Sequence, residues 1–401
     1  PDIDQMYMAA TQAISGGGGW PMSVFLLPDG SPFYAGTYFP PIASHNLPSF
    51  TELLNAIHKA WGEKKDDIDQ AAARLVEALE SGARDSEGPV DSDAIDKGYT
   101  QFAESYDKTH GGFGTAPKFP RPVVLSFMFD QYHARDLDQA REMALHTLDK
   151  MAAGGMNDQL GGGFHRYSVD QHWFVPHFEK MLYDQAQLAN SYLDAYQISG
   201  DEVYAHTARD IFTYLLRDMR DPSGGFYSAE DADSDNPYTE GEHGEGAFYL
   251  WSREHVEELL GSPAAEIFNH SYGVEEKGNV EQDPHGEFTG LNILARQHDA
   301  EHTAAALEMD ADQVARGLGE SRAKLLQERD QRRRPHLDDK VLTAWNGMVI
   351  GALARGGAIL QEPEYLEAAV QTASFIHEHL YVEETQTLMR RYRNGRAGLA
   401  G

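Results

Sequence analysis

The chain has 401 residues, with 33 basic and 64 acidic side chains, a formal charge of −31 and no cysteine. That acid surplus excludes nucleic acid and anionic membrane as partners, since both need a basic footprint; the missing cysteine excludes disulfides, thiolate metal sites and thiol chemistry by this chain alone. The length exceeds one ordinary core, so two domains or one large helical toroid are expected, and no apolar run approaches the roughly 20 residues that cross a bilayer.

The opening PDIDQMYMAA reads as the middle of an element, no leader is visible, and a cytoplasmic location is expected. Ser23 to Leu27 is a short apolar run, Pro28-Asp29-Gly30 a turn signal, and Pro32 to Tyr38 a returning arm, which together predict a hairpin. Residues 49–80 have helical periodicity, with Phe50, Leu53, Leu54, Ile57, Ala60 and Trp61 on one face, then Ile68, Ala72, Leu75, Val76 and Leu79 on another. SGARDSEGPVDS is poor in apolar residues and marks a linker, so the expected organisation is a first domain at 1–81, a linker at 82–92 and a second domain at 93–401.

Beyond the linker, helical stretches are predicted over 93–106, 121–134, 137–153, 176–198, 201–219, 253–260, 308–329, 341–361 and 363–380. Gly111-Gly112-Phe113, Gly162-Gly163-Phe164 and Gly224-Gly225-Phe226 recur as glycine-aromatic loops between them. Each helix is apolar on one side, so hairpins must pack together, as in an α/α toroid. A ring of six hairpins needs twelve helices and nine follow the linker, so the ring is expected to be incomplete. The closing RRYRNGRAGLAG has no finishing element.

The stretch 156–188, MNDQLGGGFHRYSVDQHWFVPHFEKMLYDQAQL, concentrates the chemistry. From about Pro176 the spacing is helical, placing Phe178, Met181, Leu182, Gln185 and Leu188 on a buried face, His177, Lys180 and Asp184 on a neighbouring one, and Glu179 elsewhere. Imidazoles, an arginine, carboxylates and an aromatic wall from Trp173 or Tyr183 suit a sugar or another polyol; a fully satisfied polar network locking helix ends is the alternative. In the first glycine loop, Lys118 could hold an anionic or hydroxyl group, while Phe113 and Phe119 could equally plug a hairpin.

Residues 228–245 hold seven carboxylates, with Asp231, Asp233, Asp235 and Glu242 at calcium-loop spacing, but Asn236 stands where that loop needs glycine. A solvated loop or a catalytic carboxylate pair fits better, and no metal is expected. The alternating aromatics of 246–251, ending at Trp251, could line a sugar wall. Asp338, Asp339 and Lys340 stand at a helix entrance, as caps or as part of a cavity with Trp345 and Asn346. Arg332-Arg333-Arg334 reads as a solvated loop.

Taken together, GGWPMSVFLLPDGSPFYAGTYFPP, GGFGTAPKFP, the 158–188 stretch, AEDADS and DDKVLTAWNG resemble the thioredoxin-domain-containing family that includes spermatogenesis-associated protein 20. The resemblance implies a mainly α protein: a partial (α/α)6 six-hairpin toroid preceded by the C-terminal part of a thioredoxin-like α/β domain, similar in its toroid to N-acylglucosamine 2-epimerases and some glycosidases. It also implies that Pro21 matches the family's cis-proline, while the family's cysteine motif is absent here.

By analogy with sugar-isomerising relatives, histidines act as acid and base. The expected proton-transfer residues are then His165, His177, Glu179, Asp231 and Asp339, with Arg166, Trp173, Tyr183, Asp184, Trp251, Lys340, Trp345 and Asn346 binding substrate. The leading expectation is a carbohydrate-processing protein of the epimerase, isomerase or glycosidase kind, with a small-molecule sugar as partner and no cofactor. One alternative is a thioredoxin-family redox or chaperone protein, redox-inactive in this cysteine-free chain, whose toroid binds a partner. Another is a scaffold whose acids are consumed in internal salt bridges.

Overall fold

The computed structural model describes residues 2–44, 47–82, 93–239, 241–281, 283 and 288–400. It divides into two compact units, residues 1–92 and 93–401. All of the expected linker beyond Gly82 lies outside the described residues, as does Glu240 of the acidic loop.

In the first unit, helix α1 (Asp2–Ser15) precedes an antiparallel hairpin in which Ser23–Leu26 pairs with Pro32–Gly36, followed by α2 (Phe50–Glu63) and α3 (Lys65–Gly82). Ser49 starts α2 with a full capping box: its side chain accepts from the Glu52 N–H while Glu52 reaches back to the Ser49 N–H. Helices α1 and α3 both pack on the strand Pro32–Gly36, burying Ala10, Ala35, Ile68 and Ala72. The Trp20–Pro21 peptide is cis.

The second unit contains α4 (Ala94–Ser105), α5 (Pro122–Arg135), α6 (Asp138–Ala153), α7 (Leu182–Ser199), α8 (Glu202–Asp218), α9 (Arg253–Leu260), α10 (Ala264–Tyr272), α11 (Ala300–Ala306), α12 (Ala311–Arg329), α13 (Thr343–Leu360) and α14 (Pro363–Leu380). Helices α5, α7 and α13 stand side by side, and each is backed by its chain successor, α6, α8 and α14. These three hairpins form an arc of a partial α/α toroid. Helix α7 makes the arrangement possible because small residues such as Ala186, Ala189, Ser191 and Ala195 are buried around it, so neighbours approach on several sides. Gly200 in the left-handed conformation ends α7, and the Asp201 side chain caps α8 through the Val203 N–H.

The short helices α10 and α11 were not legible in the hydrophobic pattern. The helix expected from 176 begins only at Leu182, because Pro176–His177 and Lys180–Met181 pair as short strands instead. A closing sheet carries Thr387–Arg393, with Val341–Leu342, Tyr381–Val382 and Arg396–Ala400 paired to it.

The three glycine-aromatic loops are equivalent pieces of structure. In each, the phenylalanine makes one β-bridge back to the preceding segment: Tyr106 with Phe113, Asn157 with Phe164, Arg220 with Phe226. Gly162 shows why glycine is needed, with φ +76° and an added Cβ only 2.4 Å from the Asp210 carbonyl oxygen. The first two loops also share an ionic lock. Lys118 Nζ donates to Asp107 Oδ2 and to the Gly111 carbonyl, both at 2.7 Å; Lys180 Nζ donates to Asp158 Oδ2 and to the Gly162 carbonyl, both at 2.9 Å. Lys118 is therefore spent internally, whereas Phe119 is 42% exposed and plugs nothing.

Candidate functional site

Two short ladders determine what the 176–181 segment presents. Tyr167 pairs with His177 and Ser168 with Pro176, while Lys180 and Met181 pair with Glu230 and Ala229, which pair in turn with Leu337 and Asp338. Side chains of an extended strand alternate between faces. Phe178 and Lys180 are accordingly buried, and His177 and Glu179 lie together on the partly exposed face. This corrects the helical reading, which kept His177 and Glu179 apart.

On the open face, His177 Nδ1 is 2.7 Å from Glu245 Oε1 and Nε2 is 3.7 Å from Glu179 Oε2. Arg166 Nη1 donates to the same Glu179 oxygen at 2.8 Å. The carboxylates of Glu179 and Glu245 on either side raise the His177 pKa to about 9 against the pull of burial. The imidazole beside it, with Arg166, lowers that of Glu179. At neutral pH the pair is imidazolium and carboxylate.

Tyr183 and Asp184 arrive on the first turn of α7. Tyr183 meets Trp345 edge-on at 4.9 Å, and Asp184 is 6% exposed with Oδ2 lacking a hydrogen-bond partner, as does Arg166 Nε. Burial first, then the Glu179 charge, pushes the Asp184 carboxyl up to about 8 despite Arg166. Within this small face stand a permanent cation, a charged acid, a charged base and a protonated carboxyl.

The inward face is a closed ionic core. Asp158 is held by Arg329 through two bonds of 2.7 and 2.9 Å and by Lys180 at 2.9 Å, and Lys180 also lies 4.3 Å from the Tyr214 ring centroid. Glu230 accepts from Tyr214 at 2.7 Å and from Arg334 at 2.8 Å, and Arg334 reaches Asp218 at 3.1 Å. These acids are consumed internally, as in the scaffold alternative; on the open face Glu179 and Glu245 are also paired, with Arg166 and His177, while Asp184 keeps one oxygen without a hydrogen-bond partner.

The family model Thioredox_DsbH, described as "Protein of unknown function, DUF255", matches residues 1–80. Spermatogenesis-associated protein 20 from Homo sapiens is 42% identical over 99% of this chain, and that from Mus musculus 41% over 99%. The chain belongs to the family that includes spermatogenesis-associated protein 20. It spans about half the length of these curated relatives, 53% of each. Among solved structures, a glycoside hydrolase family 76 mannosidase from Bacteroides thetaiotaomicron matches 98% of this chain and 75% of its own, at 11% identity and a TM-score of 0.39. A sugar epimerase from a ruminal bacterium matches 76% of this chain and 92% of its own, at 13% identity and a TM-score of 0.31. Neither likeness bears on the chemistry of this chain.

Of the residues expected from sequence, Arg166, His177, Glu179, Tyr183, Asp184 and Trp345 come together. Others do not join them. His165 is buried, with Nδ1 2.9 Å from the Phe178 carbonyl oxygen, and burial lowers its pKa to about 3, so it stays neutral and faces the ionic core. Trp173 is buried with its N–H on the His110 carbonyl, and Trp251 is buried beneath Arg332, so neither is a stacking wall. The whole 247–251 stretch is core, which corrects the expected sugar wall.

Asp231 is solvent-exposed, Asp339 pairs with Arg393, Lys340 pairs with Asp338, and Asn346 is buried against the Phe226 backbone. The basic run is not a solvated loop either. Arg332 donates to the Phe248 and Leu250 carbonyls and Arg334 binds Glu230; only Arg333 is exposed. The calcium spacing resolves into a hairpin, Asp233–Asp235 against His243–Glu245, and among the described residues no group of three or more His, Asp or Glu side chains is placed to hold a metal. No helix among them is long and apolar enough to cross a membrane.

Sequence reasoning missed Glu245 and Tyr167. In the sequence Glu245 is only one acid of a dense run; its signal is the following Gly246, whose φ of +73° lets the chain pass directly over Phe178.

Proposed function

We propose that Arg166, His177, Glu179, Glu245, Tyr183, Asp184 and Trp345 form an acid–base site for a neutral polyhydroxylated substrate, a sugar, and that the reaction is isomerisation or epimerisation. The observation that supports this best is the His177–Glu179 pair: a protonated imidazole and an ionised carboxylate 3.7 Å apart on the partly exposed side of one extended segment. Groups that cleave a glycosidic bond flank it, with carboxyls roughly 5–9 Å apart. An acid and a base side by side suit a transfer on one face of a carbonyl sugar. Glu179 takes the proton from C2, the carbon beside the C1 carbonyl, while His177 gives its Nε2 proton to the carbonyl oxygen, forming an enediol; Glu179 then gives its proton to C1 while His177 Nε2 takes the proton of the C2 hydroxyl, which leaves the carbonyl at C2 and restores both groups. Glu245 holds the imidazole in place, and Tyr183 with Trp345 supplies an apolar edge.

The test is to incubate the chain in deuterated water with aldoses, ketoses and reducing disaccharides and to follow carbon-bound deuterium by NMR. Exchange and product that disappear in His177→Gln and in Glu179→Gln support the reading. No exchange with any sugar, together with no sugar-induced thermal shift, overturns it.

A further inference from the structure

Three segments assemble a small sheet beside this site. Lys118 and Ser168 exchange backbone hydrogen bonds, both 2.8 Å, while Ser168 pairs with Pro176 and Tyr167 with His177. On one face of it the rings stack across strands: Phe119 on Tyr167 with centroids 4.7 Å apart and planes at 29°, and Tyr167 on His177 at 4.9 Å and 26°. The inner end of this ladder is the imidazole between Glu179 and Glu245. Its outer end, Phe119, is 42% exposed although it is large and apolar. The backbone beneath is fixed, because Lys118 is buried and locked to Asp107.

We propose that Phe119, backed by Tyr167, is a stacking platform for a distal unit of a neutral oligosaccharide whose reactive end lies at His177 and Glu179. The claim rests on the function proposed above and extends it to the substrate's length. An aromatic face takes the C–H face of a sugar ring by apolar contact, and a preformed stack spends no rotamer freedom in doing so. Two ring spacings separate Phe119 from the imidazole, more than one pyranose covers while still reaching His177, so the platform selects a chain over a monosaccharide. Neutrality follows from charge: Arg166 is engaged by Glu179, Lys118 by Asp107, and the chain as a whole is strongly acidic.

The probes are maltotetraose, cellotetraose and α-1,6-mannotetraose beside glucose and mannose, titrated calorimetrically into the whole chain, Phe119→Ala, Phe119→Trp and His177→Gln, each first checked by thermal melt. At least one tetrasaccharide should bind the unaltered chain, lose about five- to ten-fold in affinity in Phe119→Ala, recover in Phe119→Trp and persist in His177→Gln, with monosaccharide binding unmoved by either Phe119 change. Equal affinity of Phe119→Ala and the unaltered chain for every tetrasaccharide overturns the platform while leaving the acid–base site standing. Tetrasaccharide binding through Phe119 without turnover keeps the platform and removes the proposed reaction. Absence of binding by all five sugars overturns both.

Discussion

Glu245 Oε1 lies 2.7 Å from His177 Nδ1 although 68 positions separate them in the chain. The contact depends on the hairpin ending at Glu245 and on the residue after it. A Cβ on Gly246 would sit 2.4 Å from the Phe178 ring, so only glycine lets the strand descend far enough to deliver the carboxylate. The same Glu245 oxygen accepts the Phe178 N–H at 3.2 Å, which fixes it against the strand that carries the imidazole.

This bracketed imidazole should titrate in two separable steps of mutation. In an NMR titration His177 of the unaltered chain should titrate near pH 9, and Glu179→Gln and Glu245→Gln should each bring it down toward the ordinary value of about 6.5. The folded pKa is raised, so the stability it contributes is complete below about pH 6.5 and is lost as pH rises through about 9. Each variant should therefore lower Tm more at pH 6 than at pH 10. Any catalysed exchange should fall on the alkaline side near pH 9, as the acid deprotonates. A titration unmoved by either substitution would show that the carboxylates do not set the charge of this ring.

Asp184 gives the opposite test within the same face. Its carboxyl is raised to about 8, mainly by burial, so the folded state holds a proton that the unfolded chain releases near pH 4. Stability from this group is complete below about pH 4 and drains away as pH climbs to about 8. Asp184→Asn, always neutral, should therefore leave Tm nearly unchanged at pH 4 and raise it by a few degrees at pH 8. Equal Tm differences at the two pH values would refute the protonated assignment.

The contrast between His177 and Asp184 also explains which parts of the molecule the sequence revealed. The long helices α5, α6, α8, α12, α13 and α14 match the period-3.6 pattern within a few residues, but Asp184, which that pattern places beside the buried face of α7, is itself buried because α7 is packed on several sides. His177 sits on a two-residue strand, too short to carry a period. Its conformation is set by partners at Tyr167 and its neighbours' by Glu230, which are distant in the chain, and a helical pattern beginning at Phe178 was overridden by that pairing. Likewise the aromatics of 247–251 and the arginines of 332–334 could not be told from surface groups, because each satisfies the other: Arg332 lies 4.0 Å from the Trp251 ring centroid.

The ionic core beneath the site should be sensitive to removal of any one member. Asp158 is held well below the usual carboxylate range because Arg329 and Lys180 outweigh its burial. With a depressed folded pKa, its contribution is present above about pH 4 and is lost only as pH falls through the lower folded value. Arg329→Met leaves Asp158 and Lys180 unequally paired in a dry interior and should cost about 3–5 kcal/mol in urea denaturation at pH 7, shrinking at pH 3. A loss below about 1 kcal/mol would mean that water reaches these groups.

A repeated amide clip yields the final prediction. The fourth residue of α7, Gln185, accepts from the Phe164 N–H and donates to the Phe164 carbonyl, both at 2.7 Å. The fourth residue of α13, Asn346, does the same to Phe226, at 2.8 and 3.0 Å. Each amide thus ties a glycine-aromatic loop to the helix lying beside it, and a carboxamide offers a donor and an acceptor side by side at every pH. The first loop has no such clip: the fourth residue of α5 is Leu125, and Thr147 Oγ1 accepts the Gly112 N–H at 2.8 Å instead. Gln185→Ala and Asn346→Ala each strand a buried N–H and a buried carbonyl, costing about 1–3 kcal/mol for each group left unpaired. Asn346→Asp should be worse than Asn346→Ala at pH 8, because the carboxylate still accepts from Phe226 but cannot donate, and its charge faces the Phe226 and Leu342 carbonyl oxygens. At pH 4 the order should reverse, because the protonated carboxyl both accepts from and donates to Phe226 while alanine does neither. Urea denaturation at both pH values measures this directly, and an aspartate variant as stable as the asparagine chain at pH 8 would show that donation to the loop carbonyl contributes nothing.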